Sequence, residues 1–462
     1  MNYPTWDVPI IGSVWVIGLI AIFHVMISQF AVGGGLYLAL AERKARREGR
    51  QDWLEVIRRH SKFFLIVTGV FGAVSGVGIW FSIGLASPES TSALIHNFVF
   101  GWAMEWCFFL VEIATATVYY YTWDRVDAKT HQTLAWIYAI SSFFTLVIIN
   151  GILSFMLTPG AAWLAVAGTG QEASRFWQAF FNPTYWPSLV LRTLVCASLA
   201  GVWALITASR IDGSEKPGDE AAAALKAEVI RWSTRWLIPA FVLMPLAFIW
   251  YLYAVPDNSR YLMQAGISTI GSGLFTQVTR AALVTAMTSA TILAIVYFLA
   301  WRNPRDFSTG HAVAVLGLAL AATGATEHAR EMIRKPFTVS QYIYSDGVRR
   351  SQLASLNQAG YTPGSPWKSS MDQGELMFRG QCMNCHTVDG YRSMRRLMNG
   401  RDRKAIGNML TVLHDTPATS PYRNFMPPLA GTSGEIDALG DYLNGLVNTG
   451  AAVVAQKSMT TR

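Results

Sequence analysis

With 462 residues, 52% of them hydrophobic, 17 tryptophans and a mean hydropathy of +0.29, the chain is too apolar for an ordinary soluble protein. The net charge of +8 reads first as a signal of membrane sidedness, and no nucleic-acid partner is expected. Eight apolar stretches are long enough to cross about 30 Å of hydrocarbon. They lie near 11–41, 63–86, 97–122, 133–157, 187–208, 237–255, 277–301 and 311–333. The start carries Asp7 and no basic run, so no cleavable signal peptide is visible and the first span is expected to act as signal and anchor. Arg43, Lys44, Arg46, Arg47, Arg58, Arg59 and Lys62 follow the first span, and Arg210 through Arg235 follow the fifth. The alternate loops at 87–96, 158–186 and 256–276 are poor in basic residues, which puts both termini outside.

Ionisable side chains inside spans are costly and mark function by default. His24 lies in the first span, between Phe23 and Val25. Glu105 and Glu112 are seven apart in the third, so two helical turns return them to one face. Two buried carboxylates have no stability rationale, and a proton relay is favoured over a structural hydrogen-bonded pair. Cys107 and Cys196 lie in apolar segments and read as small buried hydrophobes. The aromatic loop 158–186 reads as an interfacial belt, and Asp212 to Glu228 as a charged surface helix or linker. At the end of the eighth span Glu327, His328 and Glu331 crowd one sector, with Arg330 and Arg334 beside them. These could ligate iron and bridge to haem propionates, or form an interfacial salt-bridge cluster. His60, His131, His311 and His414 read as surface or interfacial, and His96 as interfacial.

After Pro336 the composition turns to Ser, Gln, Gly, Tyr and Pro, as expected of a linker over 336–370. Cys382, Cys385 and His386 then form CxxCH, the c-type haem attachment pattern. Two thiols one helical turn apart add to the porphyrin vinyls, and the adjacent imidazole takes an axial position on iron. A redox or zinc CxxC is the alternative, but zinc would want further ligands and this region offers only His414. Met426, flanked by Phe425 and two prolines, is the expected second axial ligand. Residues 371–462 thus resemble a small class I-like cytochrome c domain closed by a helix over 434–446. Haem c is attached outside the cytoplasmic membrane, which agrees with the charge bias. In a haem protein His24 is favoured as an axial ligand over a structural histidine.

The membrane half, over roughly 10–340, resembles subunit I of the cytochrome bd oxidase family. The resemblance rests on His24 with the Glu42-Arg43 turn, on Gly76 to Trp80, on Glu105 to Glu112 running into Trp123-Asp124-Arg125, and on Glu331 to Phe337. It implies that His24 ligates one active-site haem. It implies too that Glu331, before an Arg-Gln-Pro-Trp-like run, ligates the neighbouring haem b, and that Glu105 and Glu112 deliver protons to oxygen. The chain departs from the family at the third, low-spin haem: the fifth span has Arg192 and no histidine, and the seventh has Arg280-Ala281-Ala282 where a methionine is usual, with Met287 two turns away. The outer loop from Pro256 to Thr276, where the family binds quinol, is short, and Trp80 replaces a usual glutamate.

The expectation is an all-α, polytopic helical membrane protein with a haem domain over 1–335, in a bacterial cytoplasmic membrane, its cytochrome c domain periplasmic. Electrons would pass through one covalent haem c to two haems of b or d type, and dioxygen would be reduced to water. The catalytic set is His24, Glu331, Glu105 and Glu112. Cofactor contacts are Cys382, Cys385, His386, Met426, His328, Arg330 and Arg334. Expected partners are a second transmembrane subunit, the lipid bilayer, and a periplasmic cytochrome c or quinol as donor. The rival reading is a non-catalytic electron-transfer subunit between the quinone pool and periplasmic cytochromes.

Overall fold

The structure is a computed structural model that describes residues 3–211, 220–256, 273–367 and 371–460. Among the described residues eight helices are long and apolar enough to span a membrane: Ser13–Arg47, Gln51–Ala86, Val99–Tyr121, Ala128–Leu157, Tyr185–Ala208, Glu220–Ala254, Gln277–Trp301 and Thr309–Arg334. Each coincides with an expected span. The Pro256–Thr276 loop lies mostly outside the described residues, as does Asp212 to Asp219; Glu220 to Glu228 opens the sixth helix.

The first span is the hub, and its sequence explains why. Gly33, Gly34 and Gly35 follow one another about 100° apart on the helix, so each faces a different neighbour. A Cβ on Gly33 would come within 1.9 Å of the Cys196 carbonyl oxygen of the fifth span. One on Gly34 would meet Phe64 of the second span at 2.7 Å, and one on Gly35 would meet Tyr138 of the fourth at 2.3 Å. Close approach of backbones through small residues is how helices associate where water supplies no driving force. The first and sixth helices, 35 residues each, are about 52 Å long at 1.5 Å per residue and overrun the hydrocarbon. Their overhanging ends are joined by the ion pair Lys44–Glu228 (3.1 Å), and Glu228 also meets Arg50 of the turn before the second span (2.9 Å).

Two histidines expected at the surface are buried. His131 is 0% exposed: its Nδ1 lies 2.8 Å from Glu42 Oε1 and its Nε2 2.9 Å from the Tyr119 carbonyl oxygen. Glu42, also 0% exposed, accepts from Tyr119 Oη at 2.9 Å and Arg46 Nε at 2.6 Å. Packing of the first, third and fourth spans closes over these groups, so a helix-end charge pattern that looks solvated is a core network. His60 is buried with Nδ1 2.8 Å from Thr207 Oγ1, ringed by Phe30, Tyr37 and Phe63. His311 instead closes a capping box with Ser308, and His96 is exposed. Cys196 is buried as expected, whereas Cys107 faces outward from the bundle.

The aromatic loop 158–186 is only partly a belt. Trp177, Phe181 and Trp186 are exposed, but Trp163 and Phe180 are buried in a cap that also takes in Tyr342. The segment expected as a linker is folded. Phe337–Val339 pairs antiparallel with Ile343–Tyr344, and Ser340 donates its N–H to the Met156 carbonyl at 2.9 Å. Val339 and Ile343 pack on the membrane half while Tyr344, Val348 and Tyr361 enter the C-terminal core. The same short segment therefore seals both units.

Candidate redox site

In the C-terminal unit a turn of helix presents the CxxCH residues together: the amides of Cys385 and His386 donate to the Cys382 carbonyl at 3.1 and 3.0 Å. His386 Nδ1 lies 3.0 Å from the Arg392 carbonyl oxygen. A carbonyl only accepts, so Nδ1 carries the proton and Nε2 keeps its lone pair, the form an axial ligand needs. Gln381 ties the motif to the methionine loop, its Nε2 donating to Ala430 O and its Oε1 accepting from Ala430 N, both at 2.8 Å. That clamp fixes Ala430, four residues after Met426, beside the attachment turn. Burial pushes the Cys382 thiol up to about 12, with Asp346 adding to it, the opposite of an activated redox thiol. Among the described residues no three His, Cys, Asp or Glu side chains converge as zinc would require. The donor set therefore fits a covalent haem better than either alternative.

In the membrane half Ser75 donates its hydroxyl proton to the Phe71 carbonyl at 2.6 Å, so its oxygen is free to accept from His24 Nδ1, 3.0 Å away. His24 Nε2 is thereby left as a ligand. Gly76 supplies the room: a Cβ there would stand 3.3 Å from His24 Cε1. The eighth span packs alongside, with Thr323 Oγ1 3.2 Å from Met26 Sδ and Gly324 against Ile22. His24 thus sits about two helical turns below Glu331 on the adjacent helix.

The eighth-span cluster is internally paired. Arg330 Nη2 lies 2.7 Å from Glu327, while Glu331 is held by Arg334 and by Lys335 Nζ at 3.1 Å. Arg192 of the fifth span stands within electrostatic reach of Glu327 and Arg330. Arg334 Nε is buried with no partner among the described residues, and a propionate oxygen would satisfy it. His328 is half-buried in the same sector. Arg330, Arg334, Glu331 and His328 thus share the end of the eighth span, ion-paired as the salt-bridge alternative also expects, with Lys335 an addition that the sequence reading passed over.

Glu112 is buried and accepts a short hydrogen bond from Thr145 of the fourth span; Glu105 is partly exposed two turns along the same helix. Thr145 also went unnoticed in the sequence, because a threonine in an apolar run carries no pattern of its own. Trp80 lies edge-to-face with Trp102, ring centroids 4.8 Å apart. Met287 is exposed on the outside of the bundle.

Eight spans, with a half-buried histidine in the first and an acid–base cluster at the end of the eighth, make a polytopic helical membrane protein of the bd oxidase fold. The solved structure of bd oxidase from Geobacillus thermodenitrificans superimposes with a TM-score of 0.57 at 18% identity, covering 70% of this chain and 87% of that one. A likeness at that identity establishes the fold. Residues 13–231 match the family model of cytochrome bd terminal oxidase subunit I. No curated protein matches the chain.

Proposed function

We propose that the protein is a bd-type respiratory oxidase whose electrons arrive through its own haem c. The observation that carries this reading is His24, its Nδ1 tied to Ser75 and its Nε2 free, on a helix packed against the span that bears Glu331. When bound, the haems supply one-electron redox chemistry, so that dioxygen with four electrons and four protons gives two waters. His24 and Glu331 would hold the membrane haems, with Arg334 on a propionate and His328 and Arg330 lining the pocket. Cys382 and Cys385 would anchor haem c, and His386 and Met426 would hold its iron. Glu112, held by Thr145, and Glu105 would store and pass protons on one helix face. The fifth span carries Arg192 and no histidine for the family's low-spin haem, and this supports an outward haem c as the inlet in place of quinol. A bd-type subunit works with a second transmembrane subunit, and the outward-facing apolar residues of the third, sixth and seventh spans suit one.

The test is a haem inventory with a carbon monoxide difference spectrum and oxygen uptake on purified protein. The expected result is one haem c, a gas-sensitive membrane haem, and oxygen consumption with a reduced c-type donor. Six-coordinate haems that ignore carbon monoxide would overturn the oxidase reading.

A further inference from the structure

Where the family pattern has Arg-Gln-Pro, this chain has Arg334-Lys335-Pro336. Lys335 caps the last span and is only 7% exposed, an unusual position for an ammonium. That ammonium meets Glu331 Oε1 at 3.1 Å. It also meets Cys385 Sγ, the second sulfur of the attachment motif, at 3.9 Å. A single side chain thus bridges the carboxylate of the membrane site and the sulfur of the C-terminal site. The bridge is held from both directions. Asn384, next to Cys385, donates to the Ser345 carbonyl at 3.3 Å, and Ser345 N donates to the Pro336 carbonyl at 2.9 Å, so the attachment turn is pinned to the residue after Lys335.

We propose that Lys335 is a positioning residue at the seam between the two haem sites, its buried positive charge raising the reduction potential of the haem bound at Cys382 and Cys385. This rests on the haem c part of the proposed function. A ferrous haem carries one positive charge fewer than a ferric one, so a cation a few ångströms from the thioether favours the reduced form, and more strongly where water is excluded. Glu331 offsets part of that charge. It is also held by Arg334, and the attachment motif feels Arg392 and Asp346 besides Lys335. A glutamine at this position would fill the space without the charge. The lysine stands where the C-terminal unit meets the last span.

The experiment is a spectroelectrochemical titration of the haem c α-band in the whole purified protein. Lys335→Gln is expected to lower the ferric-to-ferrous equilibrium constant about tenfold, ~59 mV for one electron. Lys335→Arg should stay within about twofold of the unaltered protein, on the same scale. Lys335→Met keeps the alkyl stem in its packing and is read in the same way if the glutamine variant does not retain haem. An unmoved potential in a charge-removing variant with intact haem c overturns the proposal, because a merely structural lysine would change stability and not potential. The carbon monoxide spectrum of the same samples keeps the two readings apart. A missing gas-sensitive haem sinks the oxidase assignment yet leaves the Lys335 effect on haem c measurable.

Discussion

His24 gives the sharpest single-residue expectation. On the proposed function, replacing it with alanine should abolish the gas-sensitive membrane species while leaving the haem c band in place, because the two sites would draw on different ligands. A carbon monoxide difference spectrum that stays full in His24→Ala would refute the assignment. Asp346 supplies a pH dependence. It is buried, accepts from Val348 N at 3.0 Å, and burial pushes it up to about 7. The unfolded carboxyl titrates near 3.9, so between about pH 4 and pH 7 the native state holds a proton that the unfolded chain has lost. Stability therefore falls as pH rises through that window and levels off above it. Asp346→Asn keeps the acceptor oxygen and removes the penalty. Its melting midpoint, followed on the haem c band, should exceed that of the unaltered protein at pH 8 and match it near pH 4. The gain is at most about 4 kcal/mol. The Glu42–His131 pair shows what a lone sequence hides at this scale. Both residues sit near helix ends rich in charge, and only the contact between spans distant in sequence reveals that neither touches solvent.

Among the elements, the first span decides whether the bundle closes. Gly33 meets backbone, which cannot yield, whereas Gly34 and Gly35 meet aromatic rings that can turn a little. Gly33→Ala should therefore push the first and fifth spans apart and cost about 1–3 kcal/mol, as overpacking does. Gly18→Ala on the same helix meets nothing within 4 Å and serves as the control. Equal thermal midpoints for the two variants in detergent would contradict the close approach. The eight spans were legible in the sequence because a bilayer demands a long apolar run, a property of the run alone. The hairpin at 337–344 was not legible. Its strands are three and two residues long, and their stability comes from Met156, Trp163 and the C-terminal core, all remote in sequence. Polar, proline-bearing composition thus read as a tether although Val339 and Ile343 are buried.

At the scale of the whole molecule the C-terminal unit is docked by packing, and a loose tether plays no part. Tyr391 donates its amide to the Ile10 carbonyl at 2.7 Å, Trp15 meets the Tyr391 ring edge-on at 5.6 Å, and Arg379 pairs with Asp7 at 3.0 Å. Gly390 makes the approach possible, since a Cβ there would fall 1.9 Å from Ile10 O. Exposed ion pairs of this kind contribute up to about 1 kcal/mol each, so the apolar and backbone contacts hold the seam. On the proposed function, reduction of the membrane haems by haem c should then be first order, independent of protein concentration and nearly insensitive to salt and viscosity. A swinging domain would slow as viscosity rises. Gly390→Val should break the docking without touching any haem ligand, leaving the haem c spectrum unchanged while the internal transfer observed after rapid mixing with a reductant slows at least about tenfold. That slowing follows because a side chain forced into a backbone contact costs a few kcal/mol and drives the two surfaces apart. Transfer at the original rate in Gly390→Val, with cleavage within 336–370 no faster than before, would mean that the seam does not hold the two units in register.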